Sequence, residues 1–408
     1  MKSRPKQIVF LLGAFRIGGT ERRASLLADE LCNNGYDVTL LAFEHFDEEA
    51  VLNVNQNVKR IVLEDFLSSQ DNHNDIARSE KKLNKRLALL KKLQILFRCL
   101  PDVSKKIEIY RKKIRNNKAL HCFLRSLNNP VCITLEPFYF EKLYYASEKV
   151  RCKLIYSEAF SPERRQLTDE WPSFRFITEK LLKCRGMCVC QTAEQLKYYK
   201  KILPSHRCVI IHNPLASEAL PQPWHGDREK IIVNYCRINP QKNLKLLIDA
   251  FEIFHRSHND FRLEIYGYAP DASSQKLKAD LIEYSSQCGL QDSVFFLPSR
   301  QGIHDCVLHC AMFVMSSDYE GISNSMLEAM AIGLPCVCTD CYGGGTREII
   351  RNEVSGLIVP MNDAQAMADA MCRFADEPSL AKECSVNAAK IRTELSSKTI
   401  CRQWENLF

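Results

Sequence analysis

The 408-residue chain contains no run of about eighteen apolar residues, so the sequence predicts no membrane-spanning helix. It also lacks a dinucleotide fingerprint. Its first glycine loop reads Gly13…Gly18-Gly19 rather than G-x-G-x-x-G, which removes the main support for an NAD or FAD site. No two aspartates are separated by a single residue, so a D-x-D metal pair is missing. The opening stretch MKSRPKQIVFLLGAF combines basic residues with a short apolar run, but no small-residue cleavage site follows before Arg16. A buried first strand is therefore expected instead of a signal peptide. No nucleic-acid module or aromatic platform accompanies the positive charge, so nucleic acid is not an expected partner.

What is present is a globular composition, 46% hydrophobic and 26% charged, in a chain long enough for two full cores. Nineteen cysteines without a secretion signal imply reduced thiols and a cytoplasmic setting. Cys336, Cys338 and Cys341 have a spacing that suggests a metal, but Cys336-Val337-Cys338 reads as a strand with both sulfurs on one apolar face. Cys188-Val189-Cys190 reads the same way, and no metal is expected.

Residues 7–15 form an apolar run, followed by the glycine loop and a helix with Ala24, Leu27, Ala28 and Leu31 on one face, closed by Gly35. Residues 37–42 supply the next strand of a right-handed parallel unit. Further runs at 131–135, 153–156, 187–190 and 208–211 extend a first domain over 1–216. Residues 217–229, with two prolines in mixed polarity, predict a linker. A second series of strands at 231–235, 262–266, 294–297, 312–316, 336–339 and 357–359 predicts an α/β domain over 230–378. Ligands of such parallel sheets bind at the carboxyl ends of the strands. Residues 379–408 are helical in composition.

Two features of the second domain carry chemistry. Glu320 and Glu328 stand eight apart in YEGISNSMLEAMAIGLPCV, the first in a loop and the second in a helix. That helix is expected to start at Ser323 or Asn324 and to stop at Gly333. Free N–H groups at its N-terminus favour an anion, whereas a carboxylate beside that site is suited to sugar hydroxyls. Arg237 and Lys242 lie five apart where a strand ends and a helix begins, which suits a diphosphate. A solvated basic loop would look similar in isolation.

The run Glu320-Gly321, Ser323-Asn324 and Glu328-Ala329-Met330-Ala331 resembles the signature of family 4 glycosyltransferases. The glycine turn at 343–345 with Glu348-Ile349-Ile350, and Gly356-Leu357-Ile358-Val359, resemble the same family. The resemblance implies a GT-B architecture, two Rossmann-like α/β domains facing across a cleft, with the C-terminal helix crossing back to the first domain. It implies a nucleotide-sugar donor and retention of anomeric configuration. Arg237 and Lys242 would hold the donor pyrophosphate, Glu320 the transferred sugar and Glu328 the ribose, with N–H groups near Ser323 and Asn324 assisting. Arg300, after a strand, would lie near the base. The Arg16-Ile17-Gly18-Gly19-Thr20-Glu21 loop resembles the family's G-G-x-E loop, where glycines let backbone approach phosphate; a plain helix-capping turn needs the same residues. Many relatives carry an acceptor-side histidine where this chain has Ser157-Glu158, so Glu158 or Ser157 is the candidate there. Without D-x-D, cations and helix ends would neutralise the leaving diphosphate, and transfer is expected to need no metal or other cofactor.

Residues 78–125 hold sixteen Lys/Arg against three Asp/Glu, +13 in a chain of +7, which leaves −6 elsewhere. Leu83, Leu87, Leu90, Leu93, Phe97 and Leu100 mark an apolar helical face within it. This describes either a helix docked on an anionic membrane surface or one packed on the protein with a solvated basic face. The expected function is glycosyl transfer to a saccharide or lipid-linked acceptor in bacterial surface-polysaccharide assembly. A nucleotide-sugar epimerase or hydrolase on the same scaffold, or a silent binding protein, are the alternatives.

Overall fold

The computed structural model describes residues 6–15, 18–46, 54–68, 116–159, 161–162 and 186–408. Most of the basic segment 78–125, and Arg16 and Ile17 of the glycine loop, lie outside them. The strands are β1 Gln7–Leu12, β2 Asp37–Ala42, β3 Lys59–Val62, β4 Val131–Thr134, β5 Lys153–Ser157, β6 Met187–Cys190 and β7 Cys208–Ile210. There follow β8 Glu229–Arg237, β9 Arg262–Tyr268, β10 Val294–Pro298, β11 Cys310–Met315, β12 Cys336–Thr339 and β13 Leu357–Val359. They form two sheets, in the orders β3-β2-β1-β4-β5-β6-β7 and β10-β9-β8-β11-β12-β13. The described residues fall into two compact units, one ending at Ser157 with 186–188 and Phe408 added, the other holding 158–162 and 189–407.

In the first unit β1 pairs in parallel with β2 and β4, Ile8 opposite Val38 and Val131. Residues 8–12 are buried because both faces of the strand are covered, which explains their unbroken apolar run. Helix Gly19–Asn33 buries Ala24, Leu27, Ala28 and Leu31, the face its spacing predicts. Gly35 follows at φ +86, a conformation glycine adopts without steric cost. The ring of Phe408 lies 5.6 Å from that of Tyr36.

In the second unit β8 is central, pairing with β9 and β11 in parallel. Helix Leu244–His255 turns Leu244, Leu247, Ile248, Phe251 and Phe254 into a core shared with Ile232, Leu263, Met312 and Val337. Full burial of one such side chain contributes about 1.5–3 kcal/mol. Residues 217–229 are stitched to this unit. The Arg228 guanidinium donates to the carbonyls of Trp224, Gly333 and Cys310, and burial pulls it down to about 10. Arg392 donates to the carbonyls of Ser217, Leu220, Pro221 and Ala331.

Candidate active site

The strand read as ending at Tyr235 continues to Arg237, because β9 runs on to Tyr268 and keeps pairing with it, Cys236 opposite Gly267 and Arg237 opposite Tyr268. Arg237 therefore stands at the carboxyl tip of the central strand, exposed and without an ion pair among the described residues. The chain then makes a 3-10 turn, Pro240–Lys242, and Asn243 adopts a left-handed conformation, φ 42, before capping the next helix through a bond from the Leu246 amide. Asparagine tolerates this backbone better than other residues with a side chain.

Three consecutive residues of that turn are tied to the loop after β11. The Gln241 side chain donates to the Tyr319 carbonyl at 2.6 Å. Ser316 donates to the Lys242 carbonyl at 2.8 Å, and Asn243 donates to Asp318 at 2.9 Å. This stitching brings Lys242 to Glu320: Nζ lies 2.5 Å from Oε1, with side chains only 16% and 11% exposed. Ser317 donates to the same oxygen at 2.9 Å. None of these bonds reaches Oε2. Burial opposes the charge on Lys242, but the Glu320 carboxylate outweighs it and the ammonium titrates above the usual lysine range.

The Glu320 loop is held by close backbone contacts. A methyl group at Gly321 would stand 2.3 Å from both the Ala159 carbonyl and Gln191 Oε1. One at Gly345 would stand 1.5 Å from the Gly321 carbonyl oxygen. At Gly343, φ +96, a methyl group would stand 1.9 Å from the Glu320 carbonyl oxygen. The amide of Glu320 donates to the Tyr342 carbonyl at 2.9 Å, so the signature loop and the 343–345 turn support each other.

The signature helix is Asn324–Ala331, with Ser323 as its N-cap accepting from the Met326 amide. It ends before Gly333, which sits at φ +78. Asn324 accepts from Asn213, which also donates to the Ile322 carbonyl. Gln191 accepts from the Ile322 amide and donates to Asn213 at 2.7 Å. Gln191 and Asn213 follow strands β6 and β7 and are buried, so their amides lock the approach to the helix N-terminus. The sequence reading missed both. Their only signal is a polar residue at the carboxyl end of an apolar strand.

Glu328 lies deeper in the helix. Its Oε2 is 2.9 Å from Nε2 of His304, the two side chains 7% and 13% exposed. His304 was not foreseen. Arg300 lies in the loop after β10, exposed and without an ion pair among the described residues. Glu158 follows β5, next to the Ala159 carbonyl that backs Gly321, but its carboxylate is fully buried. Tyr199 donates to Oε2 at 2.8 Å and the Ala159 amide donates to Oε1 at 2.9 Å. In the first unit Gly18 is the N-cap of helix Gly19–Asn33, and the Glu21 carboxylate folds back within 2.4 Å of where a Gly18 side chain would begin.

Desolvation raises the thiols of Cys336, Cys338 and Cys341, the last to about 12, which marks them as inert packing groups.

Solved structures resemble the whole chain in fold. A variant of TarM in complex with fondaparinux, alpha-GlcNAc-glycerol and UDP superposes with TM-score 0.75 at 17% identity, covering 98% of this chain and 99% of that one. The fold is thus the GT-B type of glycosyltransferases. Residues 218–391 match the family described as Glycosyl transferases group 1. An exopolysaccharide phosphotransferase of Streptomyces coelicolor is 33% identical over 44% of this chain and 18% of its own length. The poly(ribitol-phosphate) alpha-N-acetylglucosaminyltransferase of Staphylococcus aureus is 26% identical over 74% of this chain and 60% of its own length. The chain thus spans less than two thirds of either relative.

Proposed function

We propose that this protein transfers a sugar from a nucleoside-diphosphate donor to a hydroxyl of a cell-envelope saccharide or lipid-linked glycan. The observation that carries the reading is the convergence of Lys242, Glu320 and the capped helix at Ser323 on the carboxyl ends of β8 and β11. Parallel sheets bind ligands at that edge. Arg237 at the strand tip and Lys242 supply charge for a diphosphate, and the helix N-terminus adds oriented dipoles. Without ligand, Lys242 is neutralised by Glu320, so an arriving diphosphate would exchange one anionic partner of the lysine for another. The carboxylate released would be positioned to accept from hydroxyls of the transferred sugar.

The acid–base requirement is modest, because a diphosphate leaves as a stable anion once its charge is met by Arg237 and Lys242. Its departing oxygen can take the acceptor proton, in keeping with retention of configuration. Glu158 is too enclosed by Tyr199 and the Ala159 amide to act as the acceptor's base in this arrangement, and we read it as a buried support for the segment behind Gly321. No metal is required by this scheme. The relatives named for exopolysaccharide and poly(ribitol-phosphate) chemistry support an envelope polymer as acceptor. The UDP in the TarM complex supports a uridine donor. The basic segment 78–125 would hold the enzyme on the anionic cytoplasmic face of the membrane.

Thermal-shift measurements with UDP-, GDP-, ADP- and dTDP-sugars, followed by turnover with the sugar that binds, test the reading. Arg237→Ala and Lys242→Ala should each reduce turnover by about 100-fold or more. Activity should survive thorough chelation. Near-normal kinetics in both variants would remove the diphosphate assignment, and strict manganese dependence would remove the metal-free scheme.

A further inference from the structure

His304 and Glu328 are 24 residues apart, and no spacing rule links them, yet the fold joins them with both side chains almost fully buried. His304 is in the short helix Ile303–Val307 that follows β10, and Glu328 is in the signature helix. A third element braces both. The ring of Tyr235, from the central strand β8, stands edge-on to the His304 imidazole, with centroids 6.0 Å apart and an interplanar angle of 89°. Its hydroxyl donates to the Ser325 carbonyl in the first turn of the signature helix at 3.0 Å.

A glutamate side chain has three rotatable bonds, and an unrestrained carboxylate sweeps several ångströms. A charge-assisted bond from a ring that is itself wedged by an aromatic removes most of that freedom. The donor must be Nε2–H, because a carboxylate only accepts. We propose that His304, braced by Tyr235, is a positioning residue that holds the Glu328 carboxylate for the ribose diol of the donor. The inference rests on the proposed nucleoside-diphosphate donor and on the ribose role that the family resemblance implies for Glu328. It adds that the enzyme selects ribonucleoside over 2′-deoxyribonucleoside diphosphates, and that His304 sets the strength of this selection.

The consequence is a discrimination ratio, the Kd for a 2′-deoxynucleoside diphosphate divided by the Kd for its ribose counterpart. A hydrogen bond to a charged group changes affinity by about tenfold or more. Calorimetry with UDP and 2′-deoxy-UDP, or the guanosine pair if uridine gives no heat, measures the ratio without turnover. Wild type should prefer the ribonucleotide by about tenfold. Glu328→Ala should bring the ratio near one. His304→Ala should lower it several-fold while leaving 2′-deoxy-UDP binding nearly unchanged. His304→Gln, whose amide can still donate, should recover part of it, and it also covers the case in which the alanine variant fails to fold. General loosening of the fold would weaken both nucleotides alike and leave the ratio intact.

If Glu328→Ala abolishes the ratio but both His304 variants keep the wild-type value, the positioning role is wrong and the ribose assignment stands. If Glu328→Ala leaves the ratio unchanged, or no nucleoside diphosphate binds, the ribose assignment itself fails and the inference goes with it.

Discussion

Replacing Lys242 by methionine keeps an unbranched apolar side chain of similar reach and removes the ammonium. What remains is Glu320, 11% exposed, with Ser317 as its one side-chain donor among the described residues, at 2.9 Å. Removing one partner of a buried pair costs about 3–5 kcal/mol, because the other charge is left without compensation. Both side chains here keep some solvent contact and the Ser317 hydroxyl stays, so the expected cost is at the lower end, about 2–3 kcal/mol. For a unit of roughly 200 residues this is a fall in Tm of about 5–10 °C. Adding Glu320→Gln to Lys242→Met removes the orphaned charge and should restore all but about 1 kcal/mol. The pH dependence has a definite sign. Lys242 titrates above its unfolded value, so its stabilisation is complete below about pH 10.4 and disappears as pH rises through the raised folded value. The Tm gap between wild type and Lys242→Met should therefore close only on the alkaline side and stay constant from pH 6 to 9. Thermal or urea unfolding across that range is the assay. A cost below about 0.5 kcal/mol, or no recovery in the double variant, would show that the pair behaves as a surface ion pair and refute the argument.

Two more expectations concern supports of the site. Gly343→Ala places a methyl group 1.9 Å from the Glu320 carbonyl oxygen in a backbone already at φ +96, so it should cost about 1–3 kcal/mol and most of the turnover; an unchanged Tm with normal rates would mean the turn yields freely. Tyr199→Phe leaves Oε2 of the fully buried Glu158 without its hydroxyl donor, for a loss of about 1–3 kcal/mol in urea unfolding. Adding Glu158→Gln should recover part of it, and a neutral single variant would contradict the pairing.

The parts of the molecule written in local pattern were legible without coordinates. Apolar runs at 336–339 and 357–359 coincide with β12 and β13, because strands covered on both faces must be apolar throughout. The signature helix starts and ends where Ser323 and Gly333 require. Lys242 and Glu320 could be assigned to one sheet edge because both follow the carboxyl ends of strands. What stayed hidden depends on distant residues meeting. Nothing near Glu328 points to His304, and nothing near Glu158 points to Tyr199, 41 positions on. The buried amides of Gln191 and Asn213 were invisible for the same reason: a hydrogen bond across 131 residues leaves no periodicity. The end of β8 was placed two residues short, because Cys236 and Arg237 are in the ladder through their backbone and not through any apolar side chain.

The two arginines that grip the stretch before β8 bear on how the molecule can be cut. Composition marks residues 217–229 as a linker, and a fragment begun at Glu229 would look clean on paper. Such a fragment would discard Arg228 outright and deprive Arg392 of three of its four carbonyl acceptors, those of Ser217, Leu220 and Pro221. A fragment that keeps these bonds must therefore begin upstream of Ser217, and the stretch that looks like string is part of the wall.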